Sequence, residues 1–216
     1  MTKPKLQVAL DTTDLGTALH IAAQISGIAD RIEVGTPLLR RHGIRAIEAI
    51  RDKFAEAVIV ADSKIMDCGE SETAQAIEAG ASGVVVQAAA PLETIEAVCL
   101  TAEALGAFAM VDCIGIADLK RMAGQLQGLP VSHLVVHKSR DEQQTMGSIQ
   151  PQELIGITPD AALPPLAVAG GIAPGNAAKL AALAGIDTII VGQAIVSSRN
   201  PRVVALRVLA AWNEDS

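Results

Sequence analysis

Eight short apolar runs recur along the 216-residue chain at nearly even spacing, each followed by a stretch of helical period. They cover residues 6–11, 31–35, 57–62, 83–87, 107–112, 132–137, 166–170 and 188–192, and their ends lie 24, 27, 25, 25, 25, 33 and 22 residues apart. Runs of Val, Ile, Leu and Ala this poor in charge are how strands buried on both faces read, and such strands belong to parallel sheets. Eight strand-plus-helix units predict an α/β chain folded as a (β/α)8 TIM barrel, in one domain over residues 1–216. A doubly wound open sheet is the alternative, because periodicity alone does not show closure.

The helices expected between the strands span about 14–26, with Asp14 as cap, then 37–53, 72–79, 91 to just before Gly106, and 117–126. After a polar loop over 138–150 a helix is expected near Pro151, followed by helices at 174–184 and 201–212. Half of the chain is hydrophobic, yet its aromatic residues are only Phe54, Phe108 and Trp212. The core is therefore aliphatic, which suits helices on a parallel sheet and leaves no stacking platform for nucleic acid. With 17 Lys and Arg against 24 Asp and Glu, the net charge of −7 also disfavours a general polyanion binder. Cys68, Cys99 and Cys113 have no metal-ligand spacing and are expected to be reduced thiols of a cytoplasmic protein. No signal core follows Met1, and no uncharged run approaches membrane-spanning length.

Chemistry gathers where the strands end. Asp11, Glu33, Asp62, Lys64, Asp112 and His137 all lie at or near the carboxyl end of a predicted strand, the end that carries the active site in such barrels. Asp62 and Lys64 share one side of an extended strand, so an acid and a base are expected to stand together there; a structural ion pair is the plainer alternative. Glu33 lies between Ile32 and Val34, and with Asp62 it offers hard oxygen ligands suited to Mg²⁺, the alternative being a hydrogen-bonded carboxylate pair. Asp112 could cap a helix and Asp11 could serve a turn. His137 closes an otherwise apolar strand and is read as a general acid/base, against a buried histidine satisfied by backbone. His20, His42 and His133 are assigned no role. Gly170-Gly171 and Gly192-Gln193 end the last two strands, where freed backbone amides would grip a phosphate; tight turns are the alternative for either pair alone.

Asp62-Ser-Lys64-Ile-Met-Asp67 fits the D-x-K-x-x-D pattern of the orotidine 5′-monophosphate decarboxylase suprafamily. The chain most resembles its 3-hexulose-6-phosphate synthase branch and the sister 3-keto-L-gulonate-6-phosphate decarboxylases. Further matching stretches are residues 6–11, 32–38, 61–70, 111–118, 137–143, 167–172 and 191–195, in the same order. The resemblance implies a lyase acting on a phosphosugar through a metal-stabilised enediolate. It implies Mg²⁺ on Glu33 and Asp62, with Asp11 and Lys64 around the substrate and the phosphate at Gly170, Gly171, Gly192 and Gln193. It also implies a homodimer in which Asp67 reaches the partner's site.

Between the sister families, Asp112 and Ala169 resemble the synthase, where the decarboxylase has Glu and Thr. Gln193 matches neither, but it is not the decarboxylase Arg. His137-Lys-Ser-Arg140-Asp141 resembles the decarboxylase, and Arg140 would set a cation beside the reacting end of the substrate. The balance favours condensation of formaldehyde with ribulose 5-phosphate to D-arabino-hex-3-ulose 6-phosphate. Decarboxylation of 3-keto-L-gulonate 6-phosphate, a related phosphosugar lyase, and a non-catalytic phosphosugar-binding barrel follow in that order.

Overall fold

A computed structural model describes residues 3–154 and 164–212. In chain order the elements are β1 (Lys5–Ala9), α1 (Leu15–Ile25), β2 (Arg31–Val34), α2 (Thr36–His42), α3 (Arg45–Lys53), β3 (Ile59–Ile65), α4 (Gly69–Glu78), β4 (Gly83–Gln87), α5 (Leu92–Ala104) and β5 (Phe108–Asp112). There follow α6 (Leu119–Gln125), β6 (Val131–His137), α7 (Arg140–Met146), a 3-10 turn (Pro151–Leu154), β7 (Leu166–Ala169), α8 (Pro174–Ala181), β8 (Ile186–Val191), α9 (Gln193–Val196) and α10 (Pro201–Ala211). The strands are all parallel and pair in sequence order, and β8 closes on β1 through Lys5↔Thr188 to Val8↔Val191. The expected barrel is the one found, and the open sheet is excluded by that closing ladder.

The alternation of side chains along each strand divides the core in two. Outward-facing Leu6, Val8, Ile32, Ile59, Val84, Val111 and Ile189 join the helices in a continuous aliphatic cluster. Inside the barrel, Ala9, Val60, Val85, Met110, Val135, Ala167 and Ile190 form a separate apolar layer. The polar rim of the site stands above that layer. Below it, Arg31 stacks over the Phe108 ring, 4.9 Å from its centroid, and reaches Thr188.

Four local features depart from the sequence expectation. The helix expected over 37–53 is two helices, because Gly43 takes φ +62° and ends α2. The third strand does not stop at Asp62 but runs through Ile65, with a register shift between Ala61 and Ile65 and Lys64 at φ +48°. The polar loop over 138–150 contains α7, started by a reciprocal capping box between Ser139 and Glu142 and burying none of its own side chains. A short α9 precedes the closing helix. No helix among the described residues is long and apolar enough to cross a membrane.

His133, assigned no role from sequence, closes the lower end of the barrel: its Nε2 lies 2.6 Å from Asp187 Oδ1. Burial pulls its pKa below the ordinary value despite Asp187, with Arg31 and Lys5 adding to the effect. The unfolded chain therefore takes up this proton first, so the contribution of His133 is lost as pH falls through about 6.5 and below. Burial would raise Asp187, but hydrogen bonds from His133 and Thr188 outweigh it and hold the carboxyl at about 2. Its contribution is therefore full above about pH 4 and is lost as pH falls from there through about 2. We expect His133→Gln to flatten the fall of the urea midpoint between pH 7 and 5 relative to wild type. An unchanged slope would show that another group carries it.

Candidate active site

The rim draws its functional side chains from strands that the barrel brings together at one end. Lys64 is the central group. Its Nζ donates to Asp112 Oδ2 at 2.6 Å and to Asp62 Oδ1 at 3.1 Å. The two acceptors come from β5 and β3, 50 residues apart in sequence. Burial pulls the ammonium down, but the two carboxylates outweigh it and hold the group above its ordinary range. Left-handed backbone at a non-glycine residue is costly, and Lys64 takes it within the register shift of β3, where its Nζ meets Asp62. The expected pairing of Asp62 and Lys64 is thus present, made by a distorted strand end rather than by regular alternation.

Asp112 is nearly inaccessible, and its carboxylate also accepts from the Ile114 backbone N–H at 3.0 Å. Burial alone would raise its pKa, but His137 and Lys64 hold it at about 2. It is therefore an acceptor only, and His137 Nδ1, 2.9 Å away, carries the hydrogen between them. The basic His137 Nε2 is left without a protein partner among the described residues, as a proton acceptor requires.

On the far side of Lys64 stands a group of carboxylates. Glu33 is buried on β2, and its carboxyl is pushed well above the usual range by burial and by Asp62 and Asp11, with Gln7 and Lys64 opposing. Asp11 is raised by burial and by Asp62, while Lys64, His137 and Arg140 pull it down. Asp62 accepts from the Thr36 hydroxyl at 2.6 Å. The Asp11 carboxylate fills the notch left by two glycines, since a Cβ at Gly35 or Gly192 would lie 2.3 or 2.7 Å from its oxygens. Gly192→Ala is therefore expected to displace Asp11 and lower kcat with little change in melting temperature, which steady-state assays and thermal melts would check together.

Among the described residues no three His, Cys, Asp or Glu side chains converge as a metal cluster. The donor set nevertheless suits a hard cation bound through two carboxylates and water. Asp62 and Asp11 both raise the proton affinity of the Glu33 carboxyl, and Asp62 raises that of Asp11, the signature of negative charge that a divalent ion would relieve.

The remaining expected residues lie around this core. Arg140 is exposed at the first turn of α7, with its charge felt at Asp11. Gly170 and Gly171 turn the chain out of β7 at φ +121° and +69°; a Cβ at Gly170 would lie 2.6 Å from the Lys138 carbonyl. Among the described residues no hydrogen bond uses the N–H of Gly171 or Gln193. The Gln193 side chain instead donates to Ser197, the residue that caps α9 at its C-terminus. Asp67 is exposed and accepts from the Cys68 N–H at 2.7 Å, with no hydrogen bond or ion pair to Lys64 or its partners among the described residues. Sequence reasoning gave no role to Gln7 or Thr36, which hold Glu33 and Asp62. Gln7 could have been found as a polar residue on the same side of the first strand as Asp11.

The Orotidine 5′-phosphate decarboxylase / HUMPS family matches residues 4–208. The chain is similar to the 3-hexulose-6-phosphate synthase of Mycobacterium gastri, 33% identical over 211 residues that cover 96% of this chain and 99% of that one. Among solved structures it superposes on a 3-hexulose-6-phosphate synthase from Salmonella typhimurium with a TM-score of 0.89 at 32% identity, over 98% of this chain and 100% of that one. A 3-keto-L-gulonate-6-phosphate decarboxylase from Vibrio cholerae gives 0.86 at 28% identity, over 98% of each chain. With the barrel, the rim and these likenesses in agreement, the chain belongs to the orotidine 5′-phosphate decarboxylase / HUMPS family.

Proposed function

We propose that this protein is an aldehyde-lyase of the 3-hexulose-6-phosphate synthase type, which joins formaldehyde to D-ribulose 5-phosphate to form D-arabino-hex-3-ulose 6-phosphate. The observation that carries the reading is the Asp112–His137 pair beside Lys64. Asp112 orients the imidazole through Nδ1 and leaves Nε2 to remove the proton from C1 of the sugar phosphate. The electron pair of the C1–H bond becomes the enediolate, and the Lys64 ammonium stands where its oxygen charge develops. C1 then bonds to the formaldehyde carbon, and the new alkoxide takes its proton from His137. Mg²⁺ held by Glu33 and Asp62 would supply further positive charge at the sugar oxygens. The open amides after β7 and β8 would hold the phosphate.

Arg140 favours a second reading, decarboxylation of 3-keto-L-gulonate 6-phosphate, because its guanidinium acts at the rim from the segment after His137. Ala169 and Asp112, both synthase-like, and the better likeness to the synthases place that reading second.

The same reading makes the protein a homodimer, in which Asp67, hydrogen-bonded in its own chain to the Cys68 N–H, completes the partner's site. It also places the protein in the cytoplasm, consistent with three free cysteines. If Asp67 acts across an interface, mixing Asp67→Ala with Lys64→Ala chains restores about one quarter of wild-type activity, from hybrid dimers carrying one intact site. No recovery in verified hybrids would place Asp67 outside the chemistry.

The reaction itself is tested by NMR in D₂O with ribulose 5-phosphate, Mg²⁺ and no formaldehyde. Wild type should wash deuterium into C1, and His137→Ala should not. No exchange by the wild type would sink the enediolate.

A further inference from the structure

Gln7 is completely inaccessible, on the inward face of β1. The register sets Ala9 opposite Glu33 and Gln7 opposite Arg31, so Gln7 lies one inward step below Glu33. Ala9 is too small to block the path between them. The Gln7 amide Nε2 donates to Glu33 Oε2 at 2.5 Å and is the single hydrogen-bond donor to that carboxylate among the described residues. Its other end is unsatisfied: Oε1 is buried with no partner. The interior layer above it is apolar, formed by Ala9, Val60, Val85, Met110, Val135 and Ala167, and the register partner of Gln7, Arg31, turns instead to Thr188. A buried amide with an orphaned carbonyl costs stability, and an apolar side chain of the same volume would fit this layer better. What only Gln7 supplies is the N–H that fixes one oxygen of Glu33 and leaves the other free.

We infer that Gln7 is a positioning residue for the cation site, locking the Glu33 carboxylate in the orientation in which its free oxygen meets a divalent ion. The inference rests on the reading of Glu33 as a metal ligand. Partners that orient a ligand in this way typically change metal affinity 10–100-fold.

The test is a Mn²⁺ titration of the substrate-free protein, followed by electron paramagnetic resonance of the free ion, on wild type, Gln7→Met and Gln7→Asn. Met keeps the volume without the N–H, and Asn withdraws the amide by one methylene. Both variants are expected to bind Mn²⁺ about 10–100-fold more weakly. The Met variant should melt at or above the wild-type temperature, and its activity, lost at limiting Mg²⁺, should return at saturating Mg²⁺. A purely structural residue would show the reverse, a lower melting temperature with unchanged affinity, and that result overturns the inference. Equal affinity in wild type and both variants overturns it while leaving the metal reading intact. Wild type that binds no Mn²⁺ removes the metal reading and the inference with it.

Discussion

Lys64→Ala is expected to lower kcat by about 10²–10³-fold, the scale of removing a preorganised donor from a developing oxyanion. It should also destabilise the fold. Lys64 is the shared partner of Asp62 and Asp112, and without it the rim keeps its carboxylates but loses the ammonium that bridges them. Breaking a fully buried ion pair costs about 3–5 kcal/mol; the Lys64 side chain is 22% exposed, so about 2–3 kcal/mol is the better expectation. The two effects separate in a double variant. Adding Asp112→Asn removes one stranded charge and should recover part of the stability, with none of the activity. Urea melts and single-turnover rates on the single and double variants would check both halves. Equal stability of wild type and Lys64→Ala would show that solvent already screens the cluster.

His137→Ala is expected to lose about 10²–10⁴ in kcat, the usual worth of a positioned general base, with a melting temperature close to wild type. The imidazole is partly exposed, and its protein hydrogen bond is the one to Asp112. Asp112→Asn should have a related but separable effect. The amide can offer an N–H to Nδ1, which favours the tautomer with its hydrogen on Nε2 and removes the basic nitrogen from the side where C1 is placed. A similar loss in both variants, together with unchanged substrate KM, would assign the two residues to one proton-transfer unit. Full turnover by His137→Ala would move the base elsewhere, with Asp11 the next carboxylate on the rim.

The barrel was legible because buried parallel strands leave a simple trace: apolar runs of similar length, set apart by one helix each. The rim was legible for the same reason, since Glu33 and His137 stand out against apolar neighbours. What escaped depends on contacts that sequence spacing does not encode. The bulge in which Lys64 meets Asp62 carries backbone strain at φ +48°, invisible in a pattern that already placed the two residues on one side. Gly43 divides a helix whose apolar period continues across it. The capping box of α7 lies in a segment with no apolar face, and so reads as loop. Gln7 and Thr36 look ordinary in sequence; they matter because strand register sets them against Glu33 and Asp62. Asp67 and Gln193 matched or adjoined family motifs, but within one chain Asp67 turns to its own backbone and Gln193 to Ser197.

The most direct measurement is a paired assay of the purified protein with Mg²⁺. One reaction contains ribulose 5-phosphate and formaldehyde, read by formaldehyde consumption; the other contains 3-keto-L-gulonate 6-phosphate, read by CO₂ release. The rim as described predicts formaldehyde consumption faster by orders of magnitude, and its loss on chelation. Faster CO₂ release would contradict the assignment and make Arg140, rather than Asp112 and Ala169, the residue that sets the reaction.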